Sequence, residues 1–176
     1  GNAMAAGLLK NGHSRMVTPK KMNLDGGFLG AEESDYVPYI ETCDKIHAQT
    51  NVAYGMFPNF ITPTDTSGYP AILFWPKGLK ETEFEWTQLA PSWSGDEKPD
   101  YWNEQEVSFD SIMDEDFQNL EPMQRSHDSG VFESMPLNYQ ERRIYYYHQV
   151  IDDWIGRDNL PENIQVPNVL DPFIEA

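Results

Sequence analysis

Apolar and polar side chains alternate along Glu81 to Leu89, with Glu81, Glu83 and Glu85 on one side and Phe84 and Trp86 on the other. A period of two marks a strand with one wet face and one buried face. Two more strand signals precede it. Asn51 to Pro63 alternates Val52, Tyr54 and Met56 against Ala53, Gly55 and Phe57, apolar enough on both sides for a central strand. Ala71-Ile72-Leu73-Phe74-Trp75, between Pro70 and Pro76, reads as a short buried strand. The turn-forming run Thr64-Asp65-Thr66-Ser67-Gly68 joins these two as an antiparallel hairpin, and Lys77-Gly78 makes the next turn. The expected product is an antiparallel meander with bulky aromatics on its inner face.

Elsewhere the period becomes helical. Leu137 to Ile155 is the clearest helix, with the stripe Ile144, Tyr147, Ile151, Trp154 and Ile155, and Gly156 ends it. A second helix is expected from about Glu104 to Ser126, kinked or broken by Pro122 one turn after Asp116. Polar loops flank it at Pro91–Pro99 and Ser126–Pro136, the latter turning at Ser129-Gly130. Nearer the start, Ser34 or Asp35 is placed to cap a helix running to about Ala48, with Pro38 in its first turn. Its apolar side carries Tyr36, Tyr39 or Ile40, Cys43, Ile46 and His47, the last as a packed or rim histidine. Met16 to Lys21 reads as a short strand, Asn23 to Gly30 as a loop, and residues 4–15 as weakly patterned. Gly1-Asn2-Ala3 reads as an expression remnant, so the natural chain is expected to begin at Met4. Residues 4–156 then form the domain, and 157–176 an extended C-terminal tail. A strand meander followed by a long amphipathic helix gives an α+β architecture, the helix on the concave face of the sheet. Such a cavity, lined by Phe, Tyr, Trp and Met, suits a small apolar ligand.

One carboxylate interrupts the apolar face of the second helix. Ile112, Asp116, Leu120 and Met123 share a face, with Met113 and Phe117 beside them. No Lys or Arg lies within reach of Asp116 along the helix. A carboxylate turned into a core without a partner is costly, and a cation, a set of donors or a metal relieves it. Asp114 and Glu115 leave another reading open, in which Asp116 is a solvated acid stabilised by water and the helix dipole.

Composition narrows the classes. The 176 residues suffice for one domain with a real core, and the net charge of −17 comes from 29 acidic against 12 basic side chains. That balance excludes nucleic acid and anionic membrane as main partners, and leaves a solvated acidic surface or a docking face for a basic partner. A single cysteine, Cys43, rules out a disulfide or a cysteine-ligated cluster within these residues and fits a reducing cytoplasm. No apolar run is long enough to span a membrane, and no signal peptide is expected. Neither a nucleophile elbow nor a phosphate-cradling loop is present. Arg142 and Arg143, beside Glu141, are expected to pair at the surface.

Four segments together resemble the catalytic domain of the alpha subunits of Rieske-type aromatic-ring-hydroxylating dioxygenases. They are Asn11-Gly12-His13-Ser14, Met56-Phe57-Pro58-Asn59, Met113-Asp114-Glu115-Asp116 through Glu121 to Gln124-Arg125-Ser126, and Gln140-Glu141 through Tyr147-His148 to Trp154-Ile155-Gly156. The resemblance implies a helix-grip (START-like) version of the α+β fold, incomplete on its N-terminal side. It also implies non-haem Fe(II) held by two histidines and one carboxylate, with electrons from a Rieske cluster on a separate domain. Asp116 matches the carboxylate ligand.

The departures are equally specific. The family's histidine pair lies a few residues apart, and His13, His47, His127 and His148 contain no such pair. One cysteine cannot ligate a Rieske cluster. The chain is therefore expected to be the C-terminal part of a catalytic domain, inactive alone, with Asp116 as its iron ligand. Its expected partners are a small aromatic or apolar ligand, a Rieske-containing chain and a second copy of itself. The alternative is a non-enzymatic module binding an apolar ligand within the same fold.

Overall fold

The computed structural model of the chain describes residues 5–19, 40–64, 66–131 and 134–175. They fall in two compact units, one holding residues 5–19, 41–64, 66–90 and 137–175, the other residues 40, 91–131 and 134–136. The first unit is built on a seven-stranded sheet of β1 (Ala5–Leu9), β2 (Ser14–Pro19), β3 (Thr50–Met56), β4 (Phe60–Thr64), β5 (Tyr69–Gly78), β6 (Glu81–Leu89) and β7 (Ile174–Glu175). The spatial order is β6-β5-β4-β3-β2-β1-β7, antiparallel throughout except for the parallel pair β1–β7. The unit also holds α1 (Lys45–Gln49) and α4 (Arg142–Ile155), and α4 packs at β1 and the one-turn helix Lys10–Gly12. This is the expected α+β, helix-grip architecture.

The meander is as expected at its far end. β5 and β6 pair from Tyr69↔Leu89 to Gly78↔Glu81, with Phe74 opposite Phe84 and their rings 5.5 Å apart. Glu81, Glu83 and Glu85 are exposed while Phe84 and Trp86 are partly covered, the period-two pattern realised. The hairpin tip lies at Leu79-Lys80, two residues past the expected turn. The expected strand Asn51–Pro63 is two strands. Phe57-Pro58-Asn59 turns the chain, so β3 pairs with β4, and β4 in turn with β5. Proline and asparagine are turn formers, and the apolar alternation on either side masked them.

At the N-terminal end β1 was not foreseen, because Ala5-Ala6-Gly7 carries little hydrophobic signal. Its place comes from pairing, Ala5↔Val17 to Leu8↔Ser14 on one side and Leu8↔Ile174 on the other. α1 begins only at Lys45. Asp44 is its N-cap, accepting the His47 N–H at 2.9 Å. The expected caps Ser34 and Asp35 and the loop Asn23–Gly30 lie outside the described residues.

α4 is preceded by the turn Tyr139–Glu141 and ended by Gly156 at φ +87°. Asn138 starts this stretch with a capping box, in which its own N–H donates to the Glu141 carboxylate at 2.8 Å. Arg142 and Arg143 do not pair with that acid. Arg142 reaches the Ala6 carbonyl and lies 4.3 Å over the Tyr139 ring, while Arg143 donates to the Met16 sulfur. Burial and the neighbouring Arg142 lower the Arg143 pKa.

The buried face of α4 also departs from expectation. Tyr146, Gln149, Val150 and Asp152 are buried, whereas Ile144, Tyr147, Trp154 and Ile155 are exposed, Trp154 by 72%. Periodicity weighs only hydrophobicity. Tyr146, Gln149 and Asp152 are drawn in by hydrogen-bond partners that periodicity does not register.

In the second unit the expected helix Glu104–Ser126 is two, α2 (Asp100–Phe117) and α3 (Leu120–Asp128). Pro122 sits in the first turn of α3, where its missing N–H costs nothing. Its ring would clash with the carbonyl four residues back, that of Gln118, and α2 stops there. The break therefore falls ahead of the proline and immediately after Asp116. Gly130, at φ +70°, follows α3 in the foreseen turn.

Candidate functional site

Three of the four motif segments meet in the sheet unit. Asn11 and Gly12 both have left-handed backbones, φ 61° and 82°, carrying the chain from β1 into β2. Gly12 is buried, and a Cβ on it would stand 2.8 Å from Phe57 Cγ and 2.9 Å from Val150 Cγ1. Only glycine meets both the angle and the space. The Gly12 N–H donates to the Tyr146 hydroxyl at 3.2 Å, and that hydroxyl donates to the Leu9 carbonyl at 2.8 Å. The Phe57 N–H donates to His13 Nδ1 at 3.0 Å, and the Tyr147 hydroxyl donates to the Pro58 carbonyl at 2.7 Å. The Phe57 ring lies 5.4 Å from Tyr147 and 5.2 Å from Trp154. Leu8, Tyr146 and Val150 form the buried cluster beneath, with Phe57, Leu170 and Ile174 packed on it.

These contacts give the motif residues structural roles. His13 Nδ1 has its lone pair taken by a backbone N–H, so neutral His13 carries its proton on Nε2. His47 has Nδ1 2.8 Å from Asp44 Oδ1 and Nε2 3.3 Å from the Tyr54 hydroxyl. The His47 N–H first, and its ring second, hold the Asp44 pKa below 3.8. His148 is exposed, its ring edge-on to Tyr147 with centroids 6.0 Å apart. His127 is exposed in the last turn of α3.

Asp116 stands in the last turn of α2, where its carbonyl accepts the Asn119 N–H at 3.4 Å. Its side chain is exposed, and so are Ile112, Leu120 and Met123, the residues expected to share a core-facing stripe with it. The buried face of α2 is Trp102, Gln105 and Phe109 instead. Asp116 prolongs that face by two turns, since positions 102, 109 and 116 recur at seven residues. Of the two readings left open, the carboxylate forced into a core is overturned and the solvated acid holds, but in the last turn of α2, where the helix dipole does not favour a negative charge.

The ligand donors do not converge. Among the described residues no three His, Cys, Asp or Glu side chains come together as a metal site. The chain's own described residues therefore do not fit a complete iron centre. Two open depressions lie in the helical unit, one along Pro122, Arg125, Ser126, Ser129 and Val131, the other along Asn103, Val107, Ser111 and Ile112. Both are open grooves, without the aromatic lining expected of the cavity. Among the described residues no helix is long and apolar enough to cross a membrane.

Sequence reasoning singled out His13 and Phe57 within motif segments but not their mutual bond, and it passed over Gly12's steric role. The pair Asn11-Gly12 was the available signal, a left-handed turn in two letters.

In comparisons with known proteins, residues 10–157 match the family described as ring hydroxylating alpha subunit (catalytic domain). No curated protein and no solved structure matches.

Proposed function

The chain belongs to the ring hydroxylating alpha subunit family, within its catalytic domain, and from that premise we propose that it supplies one part of an iron site. In this reading Asp116 is the carboxylate ligand. The two histidines and the Rieske cluster come from outside the described residues, on a partner chain or on another segment of the same protein. The reaction served is dihydroxylation of an aromatic ring, an oxidative step of aromatic catabolism in a reducing cytoplasm.

One observation carries the proposal: the match spans Asp116, whose carboxylate is exposed at a helix end, and among the described residues no three His, Cys, Asp or Glu side chains come together as a metal site. A solvated carboxylate is free to meet ligands brought to it. The same exposure means that Asp116 contributes little to folding, so a role in ligation can be tested without unfolding the chain.

Metal analysis after anaerobic Fe(II) loading is the test. The isolated chain is expected to retain substoichiometric iron, with Asp116→Ala no different. Supplying a Rieske-containing chain that carries the paired histidines is expected to bring iron to stoichiometry, and Asp116→Ala to remove it. Stoichiometric iron on the isolated chain would overturn the need for outside ligands. Stoichiometric iron in the assembled Asp116→Ala protein would remove Asp116 from the site.

A further inference from the structure

The family match stops at residue 157, but the packing of the sheet unit runs on to residue 175. From Arg157 the chain forms single turns at Arg157–Asn159, Glu162–Ile164 and Asp171–Phe173 before β7. Its first half is fastened to its own helix. Arg157 donates to Asp153 at 2.5 Å, to the Val166 carbonyl at 2.8 Å and to Asn168, while the Val166 N–H donates to Asp152 at 2.6 Å.

The second half, residues 167–175, is fastened differently. The Tyr145 hydroxyl donates to the Pro167 carbonyl at 3.0 Å, and Gln149 Nε2 donates to Asp171 Oδ1 at 2.6 Å. Leu170 and Ile174 pack on Leu8, Tyr146 and Val150. Ile174 and Glu175 pair with Leu8 and Leu9 along the outer edge of β1, and Glu175 meets Arg15 at 2.6 Å. An apolar side chain, a backbone edge, a buried amide and a cation thus receive four features of one short peptide. This is strand addition combined with side-chain pockets.

We propose that the outer edge of β1, with the Tyr145–Gln149 side of α4, is a strand-accepting site. Residues 167–175 fill it in cis, and the same residues of a second copy fill it when that tail is displaced. Two features support exchange. β7 contributes only two residue pairs to the sheet, and Val169 and Phe173 are exposed, so the segment is held at a few points. The site also resists standing empty. With the tail in place Gln149 is only 1% exposed and its amide N–H donates to Asp171, a bond that displacement of the tail exchanges for one to water while it uncovers the apolar cluster of Leu8, Tyr146 and Val150. An open edge with buried polar anchors favours a replacement strand over solvent, and the identical tail of another copy offers every contact the resident one makes.

The test uses a fluorescent synthetic peptide of residues 167–175, titrated by anisotropy into the full-length chain and into its Ile174→Asp variant. Ile174→Asp unseats the resident tail and leaves the site intact. The variant is expected to bind the peptide roughly tenfold or more tightly than the parent chain, whose tethered tail competes at its own effective concentration. A peptide carrying Ile174→Asp is expected not to bind either chain. Equal binding by both chains, or none by either, overturns the proposal. Should Ile174→Asp lose its far-UV circular dichroism, Asp171→Ala carries the same comparison, since it cuts only the bond to Gln149.

Discussion

Gly12, Phe57 and Tyr146 lie far apart in the chain and complete one another at a single buried junction, while the bonds that Gln118, Asn119, Arg125 and Ser126 make near Asp116 reach only three or four residues along the chain. In the sheet unit a backbone N–H, a phenol, a carbonyl and two left-handed residues are interlocked across 134 positions. In the helical unit Gln118 and Asn119 bond the Glu115 carbonyl, Arg125 bonds Glu121, and Ser126 bonds the Pro122 carbonyl. An exposed i,i+4 pair such as Arg125–Glu121 is worth about 0.2–0.5 kcal/mol. A buried partner removed from the junction costs its whole desolvation. Both regions carry family motifs, yet one motif keeps the fold together and the other presents a carboxylate. Motif membership alone therefore does not say which residues do chemistry.

The sharpest way to break this contrast is at Gly12. Gly12→Val forces a branched side chain into a positive-φ position against Phe57 and Val150. A loss of about 3 kcal/mol or more is expected from urea unfolding, combining left-handed strain with overpacking. A variant as stable as the parent would show that the junction is loose. Next is Tyr146→Phe, which keeps the ring and removes the hydroxyl shared by Gly12 and Leu9. About 1–3 kcal/mol should be lost, since the buried Gly12 N–H and the part-buried Leu9 carbonyl each lose a partner. Asp116→Ala should change stability by no more than about 0.5 kcal/mol, as for an ordinary exposed position. A loss approaching that of Tyr146→Phe would place Asp116 inside a core after all.

The smallest effect is expected at Asp44. Its folded pKa is depressed below 3.8 by the His47 N–H and ring, so its capping contribution is present above the unfolded value. That contribution is lost as pH falls through the folded pKa. Following the His47 amide shift by NMR should show the cap released only below the ordinary aspartate range. In Asp44→Asn, whose amide does not titrate, that acid transition should vanish.

Much of the fold was legible wherever one residue type dominated a period. Glu81 to Leu89 could be read because charged and aromatic side chains alternate, and Gly156 because a helix stop needs a left-handed residue. The split between β3 and β4 was obscured by apolar residues continuing on both sides of Pro58. β1 was invisible because two alanines and a glycine form a strand only when neighbours on both edges supply the hydrogen bonds. The face of α4 was misplaced because Tyr146, Gln149 and Asp152 are buried for their bonds and not for their hydrophobicity. Asp116 was visible as an anomaly and by resemblance, with solvation as one of two readings left open, and the choice between them depends on where α2 ends.

The sequence by itself determined the α+β class, the β5–β6 hairpin, the C-terminal limit of α4 and the family, because these rest on local period, turn chemistry and motif order, whereas α4 starts at Arg142 and not at Leu137. Only the tertiary structure decided that Gly12, His13, Phe57 and Tyr146 lock together, that the tail past residue 157 closes the β1 edge, and that Asp116 is exposed. Each of these rests on a contact between distant positions or on where solvent reaches, and neither is encoded in the period of any one stretch.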